Sequence, residues 1–306
     1  MLDSRRLEVF REVAQRRSFS GAGEYLALTQ SGVSRQIAAL EAGLGVQLLT
    51  RSARSVSLTP AGHALLTHTH AILGRITIAE QQLGQLAAGE AGPLRLACHP
   101  SAAVWLMPRA IGRFVRKQPS VELSLLESDS ADSPQAILAG EIDLAVVSVE
   151  ATRRNREWDE LSCDHLLDDE WCLLIPTSHR LNRTKRLRIA DLADETLIEG
   201  SATAQPTREL CAQAGFEPRV RFHCEEWLGR QGLVAAAVGI TLIPRLALHA
   251  VRRDLAIRPL GTIIPPRRVY AIHHRSADGN PLIHGFLREL RHTASTLAGA
   301  SRPTTQ

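Results

Sequence analysis

Residues 20–28 (SGAGEYLAL) and 29–44 (TQSGVSRQIAALEAGL) read as two short helices, Ser20–Leu28 and Thr29–Leu44, joined by a tight turn. That arrangement is a helix-turn-helix, and it makes double-stranded DNA the leading partner. In the second helix Val33, Ile37, Leu40 and Leu44 recur at helical period and form one stripe to be buried. The opposite face carries Gln30, Ser31, Ser34 and Arg35, side chains that can hydrogen-bond base edges and phosphates without filling the major groove. Thr29 stands where an N-cap belongs, and the helix N-terminus it opens favours a phosphate oxygen nearby.

Upstream, Asp3–Arg17 is predicted as a helix, because Leu7, Phe10, Val13 and Ala14 share one face between charged residues. Ser18 and Ser20 are expected to cap the next helix, with Phe19 plugging the gap between the two. Downstream, Val46–Thr59 (VQLLTRSARSVSLT) has strand-like ends around an arginine-bearing tip, the pattern of a short hairpin wing. Arg51 and Arg54 would lay guanidinium groups on the DNA backbone or in the adjacent minor groove. Thr59-Pro60 then opens a helix that runs to about Ala88, with Gly89 as its terminator. Along it Leu65, Thr69, Ile72, Ile76, Ala79, Leu83 and Leu86 alternate in steps of four and three. Such a seam calls for a partner helix and sets two reading heads side by side on a symmetric operator.

The run Leu7–Gly62, LEVFREVAQRRSFSGAGEYLALTQSGVSRQIAALEAGLGVQLLTRSARSVSLTPAG, resembles the LysR-type transcriptional regulators almost position by position. The match covers a helix, SF, a small-residue helix, TQ..VSRQI..LE..LG..L, an arginine wing and LTPAG. Ser31 departs from the proline usual in the family, and Gly43 from its acidic or polar residues, so an operator sequence does not transfer from relatives. The resemblance implies a bacterial regulator, working as a homodimer or homotetramer on promoter DNA, with RNA polymerase as a further contact. From about Pro93 onward it implies an effector domain like a periplasmic binding protein, with two α/β lobes around a ligand cleft.

Read from its own residues, the remainder agrees. Leu94–Cys98, Ala102–Lys117, Val121–Glu127, Ser133–Ala139 and Ile142–Ser148 alternate strand and helix, which predicts a parallel sheet. A second set follows from Trp171–Pro176 through Thr196–Glu199, Gln205–Ala214, Arg219–Cys224 and Glu226–Val238 to Ile240–Ile243. Val269–His274 and Pro281–Leu297 would return to the first lobe. The expected fold is thus α+β and multidomain: a winged helix-turn-helix over 1–59, a dimerisation helix over 60–89 and an effector domain over 93–306. Lobe I takes about 93–166 and 266–306, and lobe II about 167–265.

Ligands of open α/β sheets gather at the C-terminal ends of strands. That rule selects His99, Ser101, Ala102, Ser128 and Ser148 in the first lobe, and Ser201, Thr203 and Glu225 in the second. Ser101 and Thr203 stand out because each can cap a helix and also offer a hydroxyl to a carboxylate. Arg230, near a helix start, could pair with an anion or face water. A small organic anion is the expected effector.

Composition excludes several classes. With 44% hydrophobic and 22% charged residues the chain reads as globular, and no apolar run approaches the roughly 20 residues needed to span a bilayer. The amphipathic start MLDSRRLEVF is not a signal peptide, which points to the cytoplasm and away from a secreted solute-binding protein. No GxSxG, GxGxxG, P-loop or HExxH occurs, so the reading is a regulator and not an enzyme, without cofactor or metal. His63, His68 and His70 offer no ligand quartet and are expected to be solvated. Five widely spaced cysteines give no disulfide framework, and the position nine before Cys211 is Ala202, so the paired thiols of the family's peroxide sensors are missing. All but two of the 36 basic residues are arginine, and the net charge of +4 suits nucleic acid.

Overall fold

The computed structural model describes residues 2–51, 56–88, 92–150 and 158–299. It divides into two compact units: the described residues up to Arg95 with Glu122–Ser124 and Asp132–Asp143, and Leu96–Val121, Leu125–Ala131 with the described residues from Leu144 on.

In the first unit α1 (Ser4–Arg16) starts at Asp3, whose carboxylate accepts from the Arg5 amide. Ser18 caps α2 (Phe19–Tyr25) through the Gly21 amide, whereas Ser20 lies inside the helix and caps nothing. The turn to α3 (Gln30–Leu44) is closed by the Leu28 amide on the Gly23 carbonyl at 2.8 Å. A Cβ at Gly23 would come within 2.7 Å of the Leu28 carbonyl oxygen, so the tight turn requires glycine there. Val33, Ile37 and Leu40 are buried against Val9, Phe10, Phe19 and Ala22. Leu44 is instead 38% exposed, because the stripe outruns the core at the last turn of the helix. β1 (Leu49–Arg51) and β2 (Val56–Leu58) pair antiparallel, and α4 (Pro60–Ala88) follows, with Thr59 accepting from the Gly62 amide.

The described residues from Leu94 on build two lobes. The first holds a five-stranded sheet in the order β4-β3-β5-β12-β6. Its strands are β3 (Leu94–Cys98), β4 (Leu123–Glu127), β5 (Leu144–Glu150), β6 (Leu161–Asp169) and β12 (Arg267–His274). β3 and β5 are parallel as expected, but β12 runs antiparallel to both β5 and β6, so the sheet is mixed. β6 had no clear signal in the sequence. The helix expected over 102–117 is broken at Trp105 (φ −141°, ψ −49°) into α5 (Pro100–Val104) and α6 (Leu106–Lys117). α7 (Ser133–Leu138) lies in the first unit.

In the second lobe β7 (Trp171–Pro176) lies between β10 (Thr241–Pro244) and β11 (Leu255–Pro259), antiparallel to both. β8 (Thr196–Glu199) and β9 (Arg219–His223) form a parallel pair, tied to Ile240 beside β10 by a parallel bridge. α8 (Ser201–Gln213) and α9 (Trp227–Ala235) cover this lobe. α10 (Pro281–Gly299) packs on α6 in the first lobe, where Phe114 and Phe286 meet edge to face at 5.5 Å. The chain crosses between lobes at Glu170 and again between Pro259 and Arg267.

In the first unit α4 packs on α7 at Gly74, where a Cβ would fall 1.9 Å from the Leu138 carbonyl oxygen. His70 is half-buried there and shares a hydrogen bond with Gln135, so it is not the solvated histidine expected; burial, then Arg11, lowers its pKa. Gly74→Ala is expected to cost about 1–3 kcal/mol by overpacking, read as a lower melting temperature of the full chain; an unchanged midpoint would show that α4 and α7 part freely.

Candidate functional site

The reading head rests on α3. With Val33, Ile37 and Leu40 turned into the core, Gln30, Ser31 and Arg35 are exposed and Ser34 is half-buried. Thr29 Oγ1 accepts from the Gly32 amide at 3.1 Å and lies 3.1 Å from Ser31 Oγ, so the two hydroxyls are linked at the helix start. Glu41, which the sequence reading passed over, accepts from the Leu48 and Leu49 amides at 2.8 and 3.2 Å. It ties the base of the hairpin to α3. Across the hairpin Thr50 and Ser57 hydroxyls meet at 2.7 Å. The backbone of Arg51 pairs with Val56; its side chain and Arg54 lie outside the described residues.

In the first lobe the structure gathers His99, Ser101 and Ser148 around a residue that the sequence did not single out, Arg267. Its guanidinium is 7% exposed and reaches Asp169 through Nε at 2.9 Å and Nη2 at 2.6 Å. Nη2 also donates to Ser101 Oγ, and Nη1 lies 3.4 Å from Ser148 Oγ. Ser148 is held by Ser130, whose hydroxyl accepts from the Ser148 amide at 2.9 Å. Asp169 is 1% exposed and also accepts from the Leu246 amide at 2.9 Å, so one carboxylate joins the two lobes beside the crossing at Glu170. Burial lifts its pKa, against the pull of Arg267 and the Leu246 amide.

His99 caps α5, its Nδ1 accepting from the Ala102 amide at 3.3 Å and meeting Ser101 Oγ at 2.9 Å. Burial, reinforced by Arg267, holds its pKa well below the ordinary imidazole value. The ring is therefore neutral, and with Nδ1 accepting, the hydrogen-bond network assigns its proton to Nε2. Ala102 is fully buried and serves through its amide. Ser128 takes part through its amide, which donates to the Cys98 carbonyl at 3.0 Å.

The second-lobe candidates form another hydrogen-bonded group. Glu225 accepts from the Ser201 amide at 3.0 and 2.9 Å and from its hydroxyl at 2.8 Å. The chain's own carboxylate thus fills the start of α8, and those Ser201 bonds hold its pKa below the usual carboxylate range. Thr203 is buried; its hydroxyl accepts from the Gly200 amide, donates to the Gly200 carbonyl and lies 3.4 Å from Arg230 Nη1. Arg230 is 2% exposed, so it does not face water; it donates to the Glu225 carbonyl at 3.1 Å and lies 3.8 Å over the Trp227 ring. Cys98 and Cys211 are buried, and burial drives their pKa values to about 12 and about 11, which disfavours the reactive thiolate.

Residues 4–63 match the model of the bacterial regulatory helix-turn-helix proteins of the lysR family, and residues 87–295 match the LysR substrate binding domain. The chain is 30% identical over 291 residues to the HTH-type transcriptional regulator AlsR of Bacillus subtilis (strain 168), covering 94% of each chain. It is 31% identical to the transcriptional dual regulator GltC of the same organism, over 79% of this chain and 81% of that one. Its fold is similar to full-length CbnR in complex with its target DNA, with a TM-score of 0.65 at 24% identity over 95% of this chain and all of that one.

Proposed function

The chain belongs to the LysR family, a DNA-binding transcriptional regulator with an effector-binding domain and not an enzyme, and from that premise we propose which of its residues meet DNA and effector. Gln30, Ser31 and Ser34 read base edges in the major groove, Thr29 and Arg35 hold phosphates, and the wing arginines Arg51 and Arg54 reach the adjacent backbone or minor groove. The observation that carries this assignment is the polar, outward face of α3 over a fully packed inner face. The crystallised likeness to a DNA-bound relative supports the same use of the fold.

We assign the effector to the lobe cleft, with Ser101 and Ser148 beside the Arg267 guanidinium and a small organic anion as its class. Ser201 and Glu225 take part by setting the start of α8. The operator-bound species is a homodimer or homotetramer. Its support is the seam on α4: Leu65 packs on the helix-turn-helix core and Thr69 is buried, but Ile76 and Leu83 stand 38% and 65% exposed. The side chain of Leu86 lies outside the described residues. Among the described residues no helix is long and apolar enough to cross a membrane.

A footprint on DNA upstream of the protein's own gene, with and without metabolite extract, tests the reading. A protected, roughly palindromic site that shifts with extract is expected, and no protection at any salt concentration would sink it. Arg35→Ala should weaken binding on all sequences and lower the slope of log affinity against log salt by about 1, while Ser34→Ala should change base preference with the slope intact. Equal effects of the two variants on base preference would reverse these roles.

A further inference from the structure

Two donors on the residues flanking α5 have no acceptor in the protein. Nε2 of His99 is buried without a hydrogen-bond partner, and so is Nε1 of Trp105 at the other end of α5. The assignment of the His99 proton to Nε2 makes both of these N–H donors. Ser101 follows: its hydroxyl donates to His99 Nδ1 and accepts from Arg267, so it has no lone hydrogen to spare. A buried donor without an acceptor is costly, and a ligand that only accepts hydrogen bonds answers a donor such as His99 Nε2. A carboxylate is such a ligand. A neutral amide or alcohol would bring donors of its own into a place that needs none.

The charge balance adds a condition. Arg267 already has a counter-ion in Asp169, whose Oδ2 accepts from both Nε and Nη2, so the pair is neutral. A second carboxylate entering this buried place would leave one uncompensated negative charge, which low-dielectric surroundings oppose. Resting on the assignment of the effector to the lobe cleft, we propose that the effector is a small monocarboxylate bound by exchange: it becomes the counter-ion of Arg267, and Asp169 takes up one proton from solvent. The net charge of the cluster is unchanged by that exchange, since one anion enters and one is neutralised.

The groups that face Asp169 fit this assignment. Arg267 comes from β12, Arg245 from the turn after β10, Cys172 from β7 and Glu170 from the crossing itself. His99 is kept neutral by burial and by that same cation, which leaves Asp169 as the group closest to taking a proton. Burial already raises the Asp169 carboxyl even with its partner in place. The exchange also has a mechanical consequence, because the carboxylate that changes state is the one bonded to the Leu246 amide of the other lobe.

The full chain is titrated calorimetrically with acetate, propionate and benzoate, each beside its amide, in buffers of different ionisation enthalpy. At least one carboxylate is expected to bind with uptake of about one proton, its affinity falling about tenfold per pH unit above the pKa of Asp169, while its amide does not bind. In Asp169→Asn, which is isosteric and leaves Arg267 without a counter-ion, the same carboxylate should bind more tightly, without proton uptake and without pH dependence. Arg267→Gln combined with Asp169→Asn, which strands no charge, should abolish binding. Carboxylate and amide binding alike, no carboxylate binding to either wild type or Asp169→Asn, binding to wild type without proton uptake, or uptake that persists in Asp169→Asn would each overturn the proposal. If Asp169→Asn does not fold, the wild-type proton count decides. A footprint that shifts with metabolite extract in a protein that fails these titrations would sink the exchange alone; a footprint that never shifts would sink the effector assignment on which it rests.

Discussion

Arg267→Met is expected to destabilise the folded chain by about 3–5 kcal/mol at neutral pH, because it strands the Asp169 carboxylate in a place that is almost wholly buried. The loss does not come from the ion pair as such, which in isolation contributes little beyond its own desolvation. It comes from the orphaned charge. That origin fixes a pH signature. Asp169 already has a raised pKa through burial, and removal of Arg267 raises it further. The folded state then holds a proton at pH values where the unfolded carboxyl has released it. Stability therefore falls as pH rises toward the folded-state pKa, the full penalty is present above it, and the deficit shrinks as pH is lowered through it. Denaturant melts at several pH values measure this directly. Adding Asp169→Leu to Arg267→Met should recover most of the loss, and a double variant as unstable as the single one would mean that the guanidinium acts through packing on Trp171 instead.

Ile37→Ala is expected to abolish operator binding by unfolding the reading head. Ile37 is fully buried between α1, α2 and the rest of α3, in a cluster with Phe10, Val13, Phe19 and Val33. Truncation of such a residue costs about 2–5 kcal/mol, through lost transfer energy and the cavity left behind. A core of this size has only a few kcal/mol of stability in hand, so the deletion removes most of it. The prediction separates cleanly from loss of contact: Ile37 touches no DNA in the proposed assignment, yet it should matter more than Ser34 or Arg35. Circular dichroism and the footprint, followed together with temperature, give the test. Leu44→Ala, on the exposed end of the same stripe, should cost much less, and equal losses at the two positions would mean that Leu44 is covered in the operator-bound oligomer.

Most of the reading head was legible because its caps and its buried stripe are local. Caps at Ser18, Thr29 and Thr59 act on amides three residues away, and the stripe Val33, Ile37, Leu40 is set by helical period alone. The strands β3, β7 and β8 were legible for the same reason, as short apolar runs between breakers. Where a choice depended on distant chain, the pattern was silent. Trp105 breaks the helix that periodicity would continue, and its ring stacks on His249 at 5.3 Å.

The candidate cleft shows the limit residue by residue. The sequence nominated His99, Ser101 and Ser148 because they follow strands, and the structure joins them. It had no means of nominating Arg267, whose partners Asp169 and Ser101 lie 98 and 166 residues away. Arg267 stands in a run of arginines and Asp169 in a run of acids, each indistinguishable from a solvated charge. Glu225 was nominated because it follows a strand, and the structure adds that its carboxylate accepts from the Ser201 amide at the start of α8, 24 residues away.

By itself, then, the order of residues determined the helix-turn-helix, the seam of α4 and the alternation of strand and helix beyond it, since backbone hydrogen bonding and side-chain period act over a few positions. Only the tertiary structure decided that β12 returns antiparallel between β5 and β6, setting Arg267 opposite Asp169 in register. That decision sits with the packing of the whole sheet, because here two distant strands bring the buried guanidinium its counter-ion.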